Sequence, residues 1–281
     1  MSTIQWFPGH MAKAMKMVRE RLNIIDAVIE VLDARAIKSS LNEELEEMIK
    51  GKPLLFILNK ADMADKAETK KWETYLNKRG VCVSLDSLHN QKSAAILTEA
   101  LELLLKAKIE KDKLSGKNPY PLKAMVTGIP NVGKSTLMNS VAKRKAMKTG
   151  DKPGVTLSQQ FLRVGDNLLL LDNPGILWPK FKNDEEAFNL ALIGSIKDEI
   201  LPLEEVAEYG VKKMMKLYPE RLKERYALEN MLNEKAIIEE IGKKRGALIK
   251  GGEVDLYKAS DIFLKELRSG KLGEITLERI S

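Results

Sequence analysis

Several short runs of residues carry groups suited to one kind of ligand. The run Gly128-Ile129-Pro130-Asn131-Val132-Gly133-Lys134-Ser135-Thr136 has glycines bounding a short loop, followed by a lysine and two hydroxyls. This is the pattern G-x-x-x-x-G-K-[ST], and it falls between an apolar strand-like run and a helical one, as a phosphate cradle requires. Glycines let backbone N–H groups close around oxygens at a helix N-terminus, where the dipole also favours an anion. Lys134 would then reach the β and γ phosphates of a nucleoside triphosphate, and Ser135 would ligate Mg²⁺. Asn131, Val132, Gly133 and Thr136 would line the cradle.

Asp172-Asn173-Pro174-Gly175 follows a second apolar run. It fits the D-x-x-G element, in which the aspartate holds Mg²⁺ through water and the glycine N–H senses a γ-phosphate. Asn59-Lys60-Ala61-Asp62 ends a third run. Guanine presents N1–H and an exocyclic amino group as neighbouring donors, and the Asp62 carboxylate can accept both. Adenine lacks that pair and would leave the carboxylate unpaired, so the site selects GTP or GDP and argues against an ATP-using kinase. Asn59 is expected at the acceptor edge of the base and the Lys60 stem across its face. Ser84-Leu85-Asp86-Ser87 supplies a further loop, in which Asp86 and Ser87 would bring backbone N–H groups to guanine O6. Thr156, in Lys152-Pro153-Gly154-Val155-Thr156, is the candidate switch threonine completing the Mg²⁺ shell; read without a partner, the same run is a Pro-Gly turn.

Positioning these groups takes strands that end where the motifs begin. Residues 27–32, 53–58, 81–85 and 122–127 read as strands. Residues 161–164 and 167–171 read as a hairpin about Gly165-Asp166. Helical spacing marks 11–22, 41–49, 66–78, 93–109 and 134–142, and a polar linker covers 111–121. Strands alternating with helices imply an α/β fold with a mostly parallel sheet and helices on both faces. From residue 185 onward the pattern is helical. The expected organisation is a nucleotide domain over 1–184 and a smaller all-helical domain over 185–281.

The motif order is unusual. P-loop GTPases ordinarily place the phosphate loop first and base recognition last, whereas here Asn59–Asp62 and Asp86-Ser87 precede Gly128–Thr136, which precedes Thr156 and Asp172–Gly175. A circular permutation explains this, because joining the old termini and cutting elsewhere preserves the sheet. One mechanical consequence is that the γ-phosphate-sensing segment leads directly into the C-terminal domain.

Bulk properties limit the remaining classes. With 44% hydrophobic and 31% charged residues among 281, the chain has the composition of a globular protein. Its longest apolar runs are strand-sized, so no membrane partner is expected. The charges within 11–22 are unlike a secretory leader, and the lone Cys82 reads as a small buried hydrophobe, so a cytoplasmic location is expected. Of the formal charge of +7, residues 185–281 contribute −2 from 17 basic and 19 acidic residues. The other 30 and 21, over 1–184, leave +9. This basic half, with Lys212-Lys213, residues 221–225 and Lys243-Lys244-Arg245, either meets nucleic-acid phosphates or is an ordinary solvated surface.

On these motifs, together with residues 4–13 (Ile-Gln-Trp-Phe-Pro-Gly-His-Met-Ala-Lys), Asp33-Ala34-Arg35, 175–180 and 218–226, the whole chain resembles the circularly permuted GTPases of the ribosome biogenesis GTPase A type. The resemblance implies GTP hydrolysis in late assembly of the large ribosomal subunit, with rRNA and ribosomal proteins as partners and hydrolysis stimulated by the particle. It also implies a catalytic role for His10: Ile176 stands where many GTPases have a water-orienting glutamine, and the family assigns that task to the histidine of the Trp-Phe-Pro-Gly-His segment. By their chemistry alone, Trp6 and Phe7 would be a hydrophobic staple for the first helix. Asn131 is similar to the asparagine that holds K⁺ in related GTPases. Asn173 departs from the family's usual threonine, at a variable position of D-x-x-G. The rival expectation is a regulatory GTP switch that binds a protein partner and hydrolyses little.

Overall fold

The computed structural model describes residues 11–87, 92–117, 120–142, 161–173, 175, 177 and 181–280. The apolar runs form six strands: β1 (Ala27–Asp33), β2 (Leu54–Asn59), β3 (Val81–Ser84), β4 (Leu122–Thr127), β5 (Phe161–Val164) and β6 (Leu168–Asp172). They make one sheet in the order β3-β2-β1-β4-β6-β5, parallel throughout except for the β5–β6 hairpin. Every residue of β1 is buried, as a strand covered on both faces demands. The pairing of β1 with β4, from Ala27 opposite Ala124 to Glu30 opposite Thr127, sets the base-recognition half against the phosphate half. Because these strands are parallel, Asp33, Asn59, Ser84, Thr127 and Asp172 all end at one edge, where ligands of open α/β sheets bind.

The helices around the sheet are α1 (Met11–Arg21), α2 (Ile37–Ser40), α3 (Glu43–Met48), α4 (Lys66–Leu76), α5 (Ser93–Leu104), α6 (Lys106–Leu114) and α7 (Lys134–Val141). The short α2 was not expected, and two others differ from expectation. The helix expected over 41–49 begins at Glu43, because the Asn42 side chain accepts from Leu45 N at 3.0 Å and caps it there. The helix expected over 93–109 turns at Leu105 and runs on as α6 to Leu114, into the expected linker. Apolar periodicity stops at Ile109, but Glu110, Lys111 and Lys113 are good helix formers, and Asp112 gathers Lys108, Lys117 and Tyr120 around it.

The rest is helical: α8 (Asp184–Leu192), α9 (Leu203–Leu217), α10 (Pro219–Tyr226), α11 (Glu234–Arg245) and α12 (Leu256–Arg268), with one small antiparallel bridge between Leu248 and Val254. Gly210 lets α9 approach α8 and α12 closely, since a Cβ there would stand 2.7 Å from Leu192 and 2.8 Å from Phe263. The core does not divide at residue 184. Buried Val28, Leu190, Val211 and Phe263 belong to one hydrophobic cluster. The chain end is strapped back across the sheet domain: Ile275 N donates to Met63 O at 2.9 Å, and Leu277 N to Arg35 O at 2.7 Å. The Glu278 carboxylate accepts from Ser39 N and from Asn189 Nδ2.

Candidate nucleotide-binding site

The phosphate loop sits between β4 and α7 and is built on backbone that most side chains could not tolerate. Gly128 has φ 139°, and a Cβ there would lie 2.4 Å from Val31 O. Gly133 has φ 97°, and a Cβ would lie 2.2 Å from Asn59 Nδ2. Lys134 is buried at the first turn of α7, and its Nζ donates to Ile129 O at 2.7 Å, folding back over its own loop. Burial pushes its ammonium down to about 8, with the Asp172 charge working against that. Ser135 is exposed and Thr136 half-buried. Gly175 packs on this loop, where a Cβ would stand 3.0 Å from Lys134 Nζ and 3.0 Å from Pro130 N. The D-x-x-G element therefore adjoins the phosphate loop.

The base loops come from β2 and β3. Asn59 is almost fully buried. Its Nδ2 donates to Val132 O at 2.8 Å, and its Oδ1 accepts from Ser87 N at 3.2 Å. It thus joins the phosphate loop to the Asp86-Ser87 loop, with one of its two amide N–H groups so engaged. Lys60 adopts the left-handed conformation, φ 58°, and its Nζ donates to Asp33 Oδ2 and to Asn131 O, both at 2.8 Å. Ala61 N donates to Leu85 O at 3.2 Å, and the next residue, Asp62, is exposed. Asp86 is half-buried beside the buried Ser87. Asn131 donates Nδ2 to Gly194 O at 2.6 Å, a contact with the helical region. His10 and Thr156 lie outside the described residues.

Two sets of residues at the site carried no assigned role in the sequence. Arg21 of α1 donates NH1 to Asp172 O and to Asn173 Oδ1, both at 2.9 Å, clamping the end of β6. The asparagine at 173 thereby acquires a partner, although 152 positions separate the two. Asp33 and Arg35 form a fully buried pair through Nε at 2.9 Å and NH2 at 2.8 Å. Burial would raise the Asp33 carboxyl, but Arg35 and Lys60 overcome it and hold the group far below the usual carboxylate range. Asp33-Ala34-Arg35 stood out in the sequence only as a segment shared with the family, with no role attached.

Phosphate loop, D-x-x-G element and base loops therefore meet along one sheet edge, and similarity to known proteins agrees in kind. A protein-family model described as "50S ribosome-binding GTPase" matches residues 123–238. Ribosome biogenesis GTPase A of Bacillus licheniformis is 47% identical over 278 residues, covering 98% of each chain. The Bacillus cereus protein of that name is 49% identical over 277 residues, 98% of this chain and 93% of its own. The chain belongs to the ribosome biogenesis GTPase A family. Solved structures of GDP-bound YlqF and of GNP-bound YlqF from Thermotoga maritima superpose with TM-scores of 0.65 at 26% identity. They cover 94% and 95% of this chain and 98% of theirs.

A member of the ribosome biogenesis GTPase A family is a P-loop enzyme that hydrolyses GTP, with GTP and GDP as ligands and Mg²⁺ as the usual companion. The residues present fit that ion. Ser135 and Asp172 are exposed, hard oxygen donors on the two elements that meet at Gly175. Mg²⁺ takes few protein ligands and fills its shell with water and phosphate oxygens. The family match begins at residue 123, so Asn59 to Asp62 precede it in the chain while standing beside it in space, as a permuted order requires. No described helix is long and apolar enough to cross a membrane.

Proposed function

We propose that this GTPase acts in ribosome biogenesis, on the large ribosomal subunit, and that docking on the particle stimulates its hydrolysis. The observation that carries the catalytic half is the joining of base and phosphate loops by Asn59 and Lys60. The particle is suggested by relatives along nearly the whole chain that are named for ribosome biogenesis, and by a family model described as 50S-binding. Asp62 reads guanine, with Lys60 and Ala61 shaping the pocket and Asp86 and Ser87 closing it. Gly133, Lys134 and Thr136 hold phosphate, while Ser135, Thr156 and Asp172 serve Mg²⁺. Gly175 senses the γ-phosphate. Asn131 offers Oδ1 to a K⁺ ion that offsets developing charge.

His10 orients the attacking water, since Ile176 has no group to do so. The bound particle brings His10 to that task. The basic face of 1–184 and the clusters at Lys212, Arg221 and Lys243 meet rRNA phosphates, in the cytoplasm. Turnover measured with and without purified large subunits tests this, for wild type and His10→Ala. Stimulation of the wild type alone is expected, with GTP-analogue-bound protein co-sedimenting more tightly than GDP-bound and losing association as salt rises. A His10→Ala protein stimulated as fully as wild type would remove the histidine from catalysis. No association with the particle in any nucleotide state would favour the switch with a protein partner. Replacing K⁺ by Na⁺ at constant ionic strength should slow hydrolysis in wild type but not in Asn131→Ala.

A further inference from the structure

The nucleotide loops are tied to the helical region by a closed ring of hydrogen bonds. Lys60 Nζ, on the base side, donates to Asp33 Oδ2 at 2.8 Å. Asp33 accepts from Arg35 Nε and NH2, and Arg35 NH1 donates onward to Arg268 O at 2.9 Å. The Arg268 guanidinium returns along a second path. NH2 donates to Ala191 O at 2.8 Å and Nε to Leu192 O at 3.2 Å, and its two terminal nitrogens grip Asp198 at 2.8 and 2.9 Å. Gly194 lies within this grip: it has φ 77°, and a Cβ there would touch the Arg268 side chain at 3.4 Å. Gly194 O accepts from Asn131 Nδ2 at 2.6 Å, on the phosphate side. Asn131 O accepts from Lys60 Nζ and closes the ring. The same residues, Arg35, Lys60, Asn131, Gly194, Asp198 and Arg268, line an open pocket of about 450 Å³.

Each ligand-facing loop therefore hangs from one support. Lys60 and Asn131 both hold left-handed backbone without being glycine, at φ 58° and 62°. Asparagine adopts such backbone readily, but for lysine it persists only where surrounding contacts over-determine it. The buried Asp33–Arg35 pair supplies those contacts on one side, and the turn held by Arg268 supplies them on the other. We infer that Arg35 and Arg268 are positioning residues of the GTPase, setting nucleotide affinity through Lys60 and Asn131 without touching the nucleotide. The ring is also a route from nucleotide to helical region that bypasses the segment after Gly175.

Arg268 is the informative place to cut. Its side chain is only 18% exposed, yet Arg35 bonds its backbone oxygen, so Arg268→Ala leaves the Asp33–Arg35 pair its acceptor. Asp198→Asn loosens the same turn by removing the charge that orients Arg268. On the full-length chain, titration with GDP and steady-state GTP hydrolysis should show Kd and KM rising about tenfold in Arg268→Ala. In Asp198→Asn they should rise severalfold, with kcat, read in Na⁺ so that no ion held by Asn131 contributes, changed much less in both, because uniform binding is lost while the Lys134 and Ser135 chemistry stays. Thermal unfolding without nucleotide separates this from a general loss of fold. Combining Arg268→Ala with Asn131→Ala should cost no more affinity than the worse single change, since both cut one path. Unchanged nucleotide Kd in Arg268→Ala and Asp198→Asn, or effects that simply add with Asn131→Ala, would overturn the inference. If Arg268→Ala does not fold, unchanged Kd in Asp198→Asn overturns it alone.

Discussion

Asn59 and Val132, 73 positions apart, are joined at 2.8 Å by a buried hydrogen bond from the Asn59 carboxamide to the Val132 carbonyl. Through it the end of β2 holds the phosphate loop, and the loops proposed to take guanine and phosphate become one rigid object.

Gly133→Ala should break that object. The new methyl would press on Asn59 Nδ2 from 2.2 Å, at a φ of 97° that alanine resists. A loss of about 1–3 kcal/mol of stability is expected, together with a marked loss of GDP binding. Thermal unfolding and nucleotide titration check it; a variant with wild-type melting and affinity would show that the loop relaxes freely.

Asp62→Asn should exchange base preference. An amide can donate to the xanthine carbonyl that replaces the guanine amino group, while GTP loses its paired acceptor. Affinity for GTP should fall by a factor of about 10 or more and affinity for xanthosine triphosphate should rise. Competition titrations of both nucleotides decide it, and an unaltered GTP affinity removes Asp62 from the pocket.

Nucleotide binding should take up a proton near Lys134. The free ammonium sits near 8 because it is buried, and phosphate oxygens will hold its proton more tightly. Between pH 8 and the higher bound-state value, affinity should fall as pH rises, by up to about one decade per unit. Calorimetry of GDP binding at pH 8.5, in buffers of different ionisation enthalpy, reads the proton directly. No uptake in wild type, or equal uptake in Lys134→Met, contradicts the assignment.

Glu30, in the middle of β1, should make the fold less stable at alkaline pH. Burial, and then the nearby Glu46, push its carboxyl up to about 8, and Oε1 accepts from Asn42 N at 3.1 Å. Its folded value lies above the ordinary 4.5, so its contribution is fully present below pH 4.5 and drains away as pH rises through 8. Glu30→Gln keeps the acceptor for Asn42 and cannot ionise. At pH 8 it should be more stable than wild type by on the order of 4 kcal/mol, and the two should converge near pH 4.5. Denaturant unfolding at both pH values measures the difference; a constant offset would mean that Glu30 does not titrate with folding.

What was legible in the sequence was whatever is written locally. Buried parallel strands need unbroken apolar runs, so β1, β2, β4 and β6 could be placed to within a residue or so. Gly128 and Gly133 announce the phosphate loop because only glycine tolerates that backbone so close to Val31 and Asn59. Asp62 speaks for guanine through its chemistry alone. Helix limits were less legible where a cap or a kink, not the apolar period, decides them, as at Asn42 and Leu105. The sequence was silent where a side chain's role depends on a partner far along the chain. Lys60 meets Asn131 across 71 positions, and Arg35 meets Arg268 across 233. No short-range period records such pairs. They exist because adjacent parallel strands bring β1, β2 and β4 to one edge, and because the helical region folds back beneath them. Asn59 shows the difference: its chemistry suggested a base contact, while its bonds to Val132 O and Ser87 N, which tie two loops together, could only be seen in the fold. Local chemistry determined which ligand this protein takes, and tertiary packing alone decided what holds the site in shape.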